Sequence, residues 1–422
     1  MLACKLLKHT LGEDETARAV MYDAFLAQAD ALWPLRAFGR ASVPLLMEPA
    51  CGVGGKAARR LAAAWETLAL GEVTHARPDW GIASVAADGT EYPVVEEVTA
   101  ATPFATLRRF RKVGAPEQAK VLVAAPMSGH FATLLRDTVR TLLRDHDVYV
   151  TDWHNVRDVP ASAGRFGLDE YIDHMIDFTA ALGPGANVIA ICQPCVAALA
   201  AVALMAEDDH PAQPASLTLM AGPIDCRIGP TAVNKLAVSK PISWFEKNLI
   251  GRVPWRLRGA GRRVYPGFLQ LSAFISMNKD RHADAFRKYF AHVAAGEEAE
   301  AKTIRDFYGE YMAVSDLSAD FYLETVRLVF QEYALPLGKL TLRGRKIDPL
   351  AIRRTALLTI EGERDDICAI GQTLAAQDLT KLRPYLRTHY VQPNVGHYGV
   401  FSGRRWQNHI YPVVRNVIQV SQ

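Results

Sequence analysis

The chain has 422 residues, 50% of them hydrophobic and 22% charged, with a formal net charge of +3. That composition fills a sizeable core in one large or two ordinary domains and excludes a disordered chain. The near-neutral charge and the lack of any Lys/Arg block exclude a nucleic-acid binder, and six scattered cysteines exclude a disulfide scaffold and suit a reducing, cytoplasmic setting.

The first ~18 residues read as an extension, with too short an apolar run for a secretory signal. Helical spacing of apolar residues predicts helices over Ala17–Phe38 and Ala57–Leu70, so 1–100 is expected to be an N-terminal helical region. Between them Pro49–Gly55 is a glycine-rich loop before Lys56. It lacks the spacing, and the Ser/Thr after lysine, of a phosphate loop.

From Lys120 the pattern changes. VLVAA (Val121–Ala125) is a continuous apolar run, as in a strand covered on both faces. Helical periodicity follows over Phe131–Arg144, a strand over Val148–Thr151, and a helix over Leu168–Leu182. Then come a strand at Val188–Ile191, a helix at Pro194–Ala206 and a strand at Leu217–Met220. Two more strands are expected at Ala356–Ile360 and Thr388–Val391. This alternation implies right-handed crossovers and a mainly parallel α/β sheet. The core is expected in two parts, 101–226 and 347–422, split by an aromatic-rich helical cap or lid at 227–346. The longest apolar stretch, around Val196–Met205, falls short of the ~20 residues that cross a bilayer, so no membrane span is expected.

Cys192-Gln-Pro-Cys195 lies where a strand meets a helix. A metal site is the weakest reading, because one CxxC gives two ligands and nothing follows to complete a tetrahedron. A redox pair would sit near the start of a small domain, not in the middle of a long α/β unit. The third reading is a nucleophile elbow, a sharp strand-to-helix turn that needs compact residues two positions to either side. Around Cys192 these are Ala190 and Pro194; around Cys195 they are Gln193 and Ala197, which fit poorly. Pro194 suits a helix start, and the helix N-terminus favours a Cys192 thiolate. The backbone N–H of Gln193 then faces an oxyanion.

The elbow departs from G-x-S-x-G at three places, so its support comes from partners in the order nucleophile, acid, base. Asp365, with Asp366 as alternative, follows the strand Ala356–Ile360 where an acid belongs. His397, between glycines after the last strand, stands where a base belongs. A second oxyanion donor is expected from the loop after Val121–Ala125, at the N–H of Met127 or Ser128, with His130 as a substrate contact or a helix-start residue.

Longer stretches carry a resemblance. They include PFATLRRFRK (Pro103–Lys112), APMSGHFATLLRDTV (Ala125–Val139), HDVYVTDWHNVRDVP (His146–Pro160), ICQP (Ile191–Pro194), RRVYPGFLQLSAFISMN (Arg262–Asn278) and VGHYGVFSG (Val395–Gly403). In these the chain resembles the intracellular polyhydroxyalkanoate (poly-3-hydroxybutyrate) depolymerases, relatives of the polyester synthases within the α/β-hydrolase fold. The resemblance puts the family's cysteine nucleophile, in its C-Q-P context, on Cys192. It puts the acid of G-E-x-D-D-I on Asp365 and the base of G-H-Y-G on His397. Trp153, within the stretch His146–Pro160, becomes a candidate substrate contact. Cys195 departs from the family, where that position is often Ser.

The resemblance implies ester cleavage in poly-3-hydroxybutyrate through a Cys-His-Asp acyl-enzyme. No cofactor or metal is needed, with coenzyme A as an alternative acyl acceptor to water. The expected partner is the polyester, as granule surface or oligomer, and the expected place the cytoplasm or the granule. A polyester synthase and a silent granule-associated protein are the alternatives. Monomer length and oligomeric state are not readable.

Overall fold

The computed structural model describes residues 15–47 and 55–422. Cys4, Cys51, residues 1–14 of the expected extension and most of the Pro49–Gly55 loop lie outside them.

Two helices open the chain, α1 (Glu15–Met47) and α2 (Lys56–Leu70). The sheet then begins earlier than expected. Strands β1 (Ser84–Ala87) and β2 (Thr90–Ala101) occupy a stretch read as part of a helical region, and β3 (Ala105–Lys112) precedes the first expected strand. The correction has a physical reason. β2 is largely exposed and full of charge, so it lacks the apolar run of a covered strand. Its pairing shows only across strands, where Glu97 meets Arg111 at 2.6 Å and Arg109 at 3.6 Å.

The alternation then follows its expected course: β4 (Lys120–Ala124), α3 (Arg136–Leu142), β5 (Asp147–Trp153), α4 (Leu168–Leu182), β6 (Asn187–Ile191), α5 (Cys195–Glu207) and β7 (Ser216–Met220). A 3₁₀ turn over Ala132–Leu135 precedes α3. Every residue of β6 is buried, and α5 is buried from Cys195 to Met205, as an all-round apolar helix must be.

The cap lies between β7 and β13. It holds α6 (Ala232–Val238), α7 (Ile242–Leu249), β8 (Gly251–Arg252), β9 (Arg263–Tyr265), α8 (Gly267–Met277), α9 (Lys279–Ala295), α10 (Glu298–Tyr311), β10 (Leu317–Ser318), α11 (Ala319–Glu324) and the hairpin β11 (Thr341–Leu342) to β12 (Arg345–Lys346). It is therefore not wholly helical, for β8, β9 and β10 form a small sheet. The chain returns through β13 (Ala356–Gly362), α12 (Ala375–Leu379), β14 (Arg387–Gln392) and the amphipathic α13 (Tyr411–Val420).

Among the described residues the main sheet has nine strands in the order β1-β2-β3-β5-β4-β6-β7-β13-β14. From β5 to β14 the strands are parallel, and β3 runs against both its neighbours. From β2 onward this order, with its one reversed strand, is the α/β-hydrolase fold. It brings the exits of β4, β6, β13 and β14 to one edge, where sites on such sheets form.

The N-terminal helices belong to the cap. Ala63 and Leu70 of α2 share a second core with Leu271, Tyr289, Val293, Tyr308 and Tyr311. Tyr289 donates to Glu66 at 2.5 Å. Phe25 of α1 stacks on Phe268 at 4.0 Å, and Tyr22 donates to buried Asp316. Most cap aromatics are thus packing residues, although Trp255 is 89% exposed. Among the described residues no helix is long and apolar enough to cross a membrane.

Candidate active site

The turn between β6 and α5 puts Cys192 at φ 67°, in the left-handed region that non-glycine residues avoid. The backbone around it is tightly held. Cys192 N–H donates to the Met220 carbonyl at 2.7 Å, and Cys195 N–H donates to the Cys192 carbonyl at 3.2 Å. Pro194, the expected helix start, caps α5, which begins one residue later at Cys195; its missing N–H leaves nothing unpaired there.

The two cysteines differ. Both are free thiols, Cys192 half-buried and Cys195 fully buried. The Cys195 thiol donates back to the Ala190 carbonyl at 3.2 Å, and burial pushes its pKa well above the usual thiol value. A Cβ on Gly222 would meet Cys195 Sγ at 2.2 Å, so this glycine is demanded by close approach. Cys195 is enclosed packing, which suits neither a redox partner nor a nucleophile.

Asp365 and His397 come together from loops after β13 and β14. His397 Nδ1 stands 2.8 Å from Asp365 Oδ2. The other oxygen, Oδ1, accepts the N–H groups of Ile367 and Cys368, each at 2.8 Å. Asp366 is exposed, and the carboxylate bonded to His397 is that of Asp365. Cys192 is close enough to the imidazole for its charge to act on the ring's protonation. Burial of His397 opposes its cation, but charge on Cys192, hydrogen bonds to Asp365 and Cys192, and the Asp365 charge together raise its pKa well above 6.5.

The loop after β4 carries the expected donors. Met127 N–H is taken, at 3.3 Å, by the side-chain oxygen of Gln193. An acceptor oxygen thus already sits beside the elbow, held by the residue next to Cys192. The loop is pinned to the cap: Gln270 of α8 donates to the Ser128 carbonyl, and Ser315 N–H donates to the Gly129 carbonyl at 2.9 Å.

His130 and Trp153 occupy different surroundings from those expected. His130 is buried, its ring bonded to the Tyr311 carbonyl at 3.2 Å, and burial drops its pKa to about 4. It is neutral and spent on the cap. Trp153 donates to the Ala125 carbonyl at 2.9 Å and stacks on Tyr171, and it lines a cavity of about 600 Å³ that contains no part of the Asp365–His397 pair.

Three residues passed unremarked in the sequence. Glu361, fully buried at the end of β13, accepts the N–H groups of Gly371, Thr373 and Leu374 at 2.8–3.0 Å. It braces the loop that presents Asp365. Thr373 ties that loop to Gly222, and Gln270 ties the cap to the loop after β4. A carboxylate ending an otherwise apolar strand was the one signal available, and only for Glu361. Among the described residues no group of three or more His, Cys, Asp or Glu is placed to hold a metal ion.

Residues 221–422 match the family model described as PHB de-polymerase C-terminus. No curated protein matches the chain. A putative lipase from Acinetobacter baumannii AYE is similar at 14% identity and TM-score 0.38, over 78% of this chain and 93% of its own. A thermophilic esterase from Thermogutta terrifontis is similar at 15% identity and TM-score 0.40, over 77% and 98%. An alpha/beta hydrolase, GrgF, from Penicillium sp. sh18 gives 14% identity and TM-score 0.44, over 78% and 98%.

Proposed function

We propose that this ester hydrolase, whose residues 221–422 belong to the PHB de-polymerase C-terminus family, cleaves poly-3-hydroxybutyrate through a thioester on Cys192. The observation that carries the proposal is Cys192 at φ 67° above the sheet, with the Asp365–His397 pair of 2.8 Å beside its thiol.

His397, held in one orientation by Asp365, takes the Cys192 proton. The thiolate attacks an ester carbonyl, and a carbon–sulfur bond forms. The negative oxygen is received by the Gln193 N–H and by the loop after β4, where it displaces the Gln193 side-chain oxygen from Met127 N–H or takes the N–H of Ser128. The carbon–oxygen bond then breaks, and His397 returns its proton to the departing alcohol. A 3-hydroxyacyl thioester remains on Cys192. Water, deprotonated by His397, releases the hydroxy acid and restores the thiol; a thiol such as coenzyme A would release a thioester instead. The cycle needs no metal. Exposed Trp255 gives the cap an apolar point of contact with a polyester granule.

The test is release of 3-hydroxybutyrate from amorphous granules by wild type, Cys192→Ala and Cys195→Ser, with and without coenzyme A. Wild type and Cys195→Ser are expected to release product and Cys192→Ala none. The coenzyme A arm names the acceptor. Equal death of both cysteine variants would sink the elbow reading, and an inert wild type would sink the substrate.

A further inference from the structure

A cavity of about 550 Å³ opens beside His397. Its walls are the base loop Gly396–Gly399, Asp366 and Ile367, and residues of α8, α9 and α10. Neither the elbow nor the loop after β4 lines it. Its position has a chemical meaning in acyl transfer. The imidazole hands its proton to the departing alcohol, so the departing half of an ester lies on the imidazole's open side.

The cavity has an aromatic wall made by Phe274, Phe307, Tyr308 and Tyr311. One guanidinium stands among them, that of Arg281 in the first turn of α9. It forms no ion pair among the described residues; Arg287, further along the same helix, pairs with Asp284. Asp366 lines the same cavity without forming an ion pair with Arg281. His282 is no second cation, because burial and the Arg281 charge depress its pKa and its Nδ1 is bonded to the Tyr308 hydroxyl at 2.8 Å. Burial raises the pKa values of Tyr308, Tyr311 and Tyr398, and Arg281 is the influence that opposes it at all three. Its charge therefore reaches across the cavity to the residue next to His397.

The interior of a polyester chain is uncharged and has nothing to offer a guanidinium. A departing fragment is different at one place, since its far end is a free carboxylate. Resting on the ester cleavage proposed above, we infer that Arg281 receives this carboxylate and makes the enzyme selective for esters close to the acid end of a chain. Cleavage then proceeds from that end and releases short acids.

The experiment uses the purified protein and a 3-hydroxybutyrate trimer in two forms, free acid and methyl ester. Initial rates of internal ester cleavage are compared for wild type, Arg281→Gln, Arg281→Lys and the control Arg287→Gln. Wild type is expected to favour the free acid by about tenfold or more in kcat/KM, the scale of a hydrogen bond to a charged group. Arg281→Gln is expected to bring the ratio towards one, chiefly through KM for the acid, and Arg281→Lys to keep part of the preference. Arg287→Gln should keep the wild-type ratio. A wild type indifferent to capping overturns the inference, and so does equal loss on both substrates in Arg281→Gln. If wild type cleaves neither trimer, the ester-cleavage reading falls first and takes this one with it.

Discussion

Asp365 has no spare acceptor position on the side it presents. One oxygen is fixed by two backbone N–H groups, so the other can only face His397. Asp365→Asn keeps the shape but offers an amide donor to a ring nitrogen that must itself donate. Its kcat on soluble oligomers is expected to drop by on the order of 10²–10⁴. Asp366→Asn, at an exposed neighbour, should stay within about twofold. If the two variants fall together, Asp365 is not the orienting acid. The charge on His397 gives a second expectation. Its folded pKa lies above the unfolded value of about 6.5, despite burial, because Cys192 and Asp365 hold the cation. Such a group adds stability that is complete below about 6.5 and fades as pH rises through the folded pKa. Cys192→Ala removes one of the two supports, so the imidazole NMR titration should move to lower pH. An unmoved midpoint would sever the thiol from the ring.

Elements decide what was readable. Cys192, Asp365 and His397 each sit one short loop beyond an apolar strand, so strand patterning and chain order together single them out. The oxyanion loop was also placed by its strand, but its restraint was not. Gln270 reaches the Ser128 carbonyl from 142 residues away, and neither residue carries a local sign of the contact. His130 looked available because a histidine near a catalytic loop usually is; its partner is a backbone carbonyl, and backbone carbonyls leave no trace in sequence. Gln270→Ala should loosen the loop without opening the main core. The expected result is a fall in kcat of about tenfold, less than the loss of an oxyanion donor, with the unfolding midpoint nearly kept. A fall in stability with unaltered kcat would make Gln270 a packing residue only. Gly129 reports on the same seam, since a Cβ there would lie 2.7 Å from the Gln270 side chain at a φ of +87°.

At the scale of the whole molecule, the cap is anchored to the beginning of the chain. The parallel sheet and the insertion point were legible because strands alternate with helices and then stop alternating. The strands β1 and β2 went unread within the expected N-terminal helical region because β2 shows charge instead of an apolar run, and its pairing with β3 lies in cross-strand ion pairs. The bond between α2 and α9 escaped entirely, as helix-to-helix burial across more than half a chain must. Leu271 lies at the centre of this second core, 2% exposed. Leu271→Ala should cost about 2–5 kcal/mol in denaturant unfolding, and the cap should open before the sheet in hydrogen exchange. Uniform loss of protection would mean that cap and sheet unfold as one body.

The backbone at Cys192 carries one further consequence. A side chain held at φ 67° costs about 1–2 kcal/mol that glycine would not. Cys192→Gly should therefore fold more firmly than Cys192→Ala by ~1 kcal/mol, although both are silent. Under the mechanism proposed above, the residue on which turnover depends is then one that folding alone would discard. Drift without selection for turnover would replace this cysteine early and leave a sturdier, inert protein.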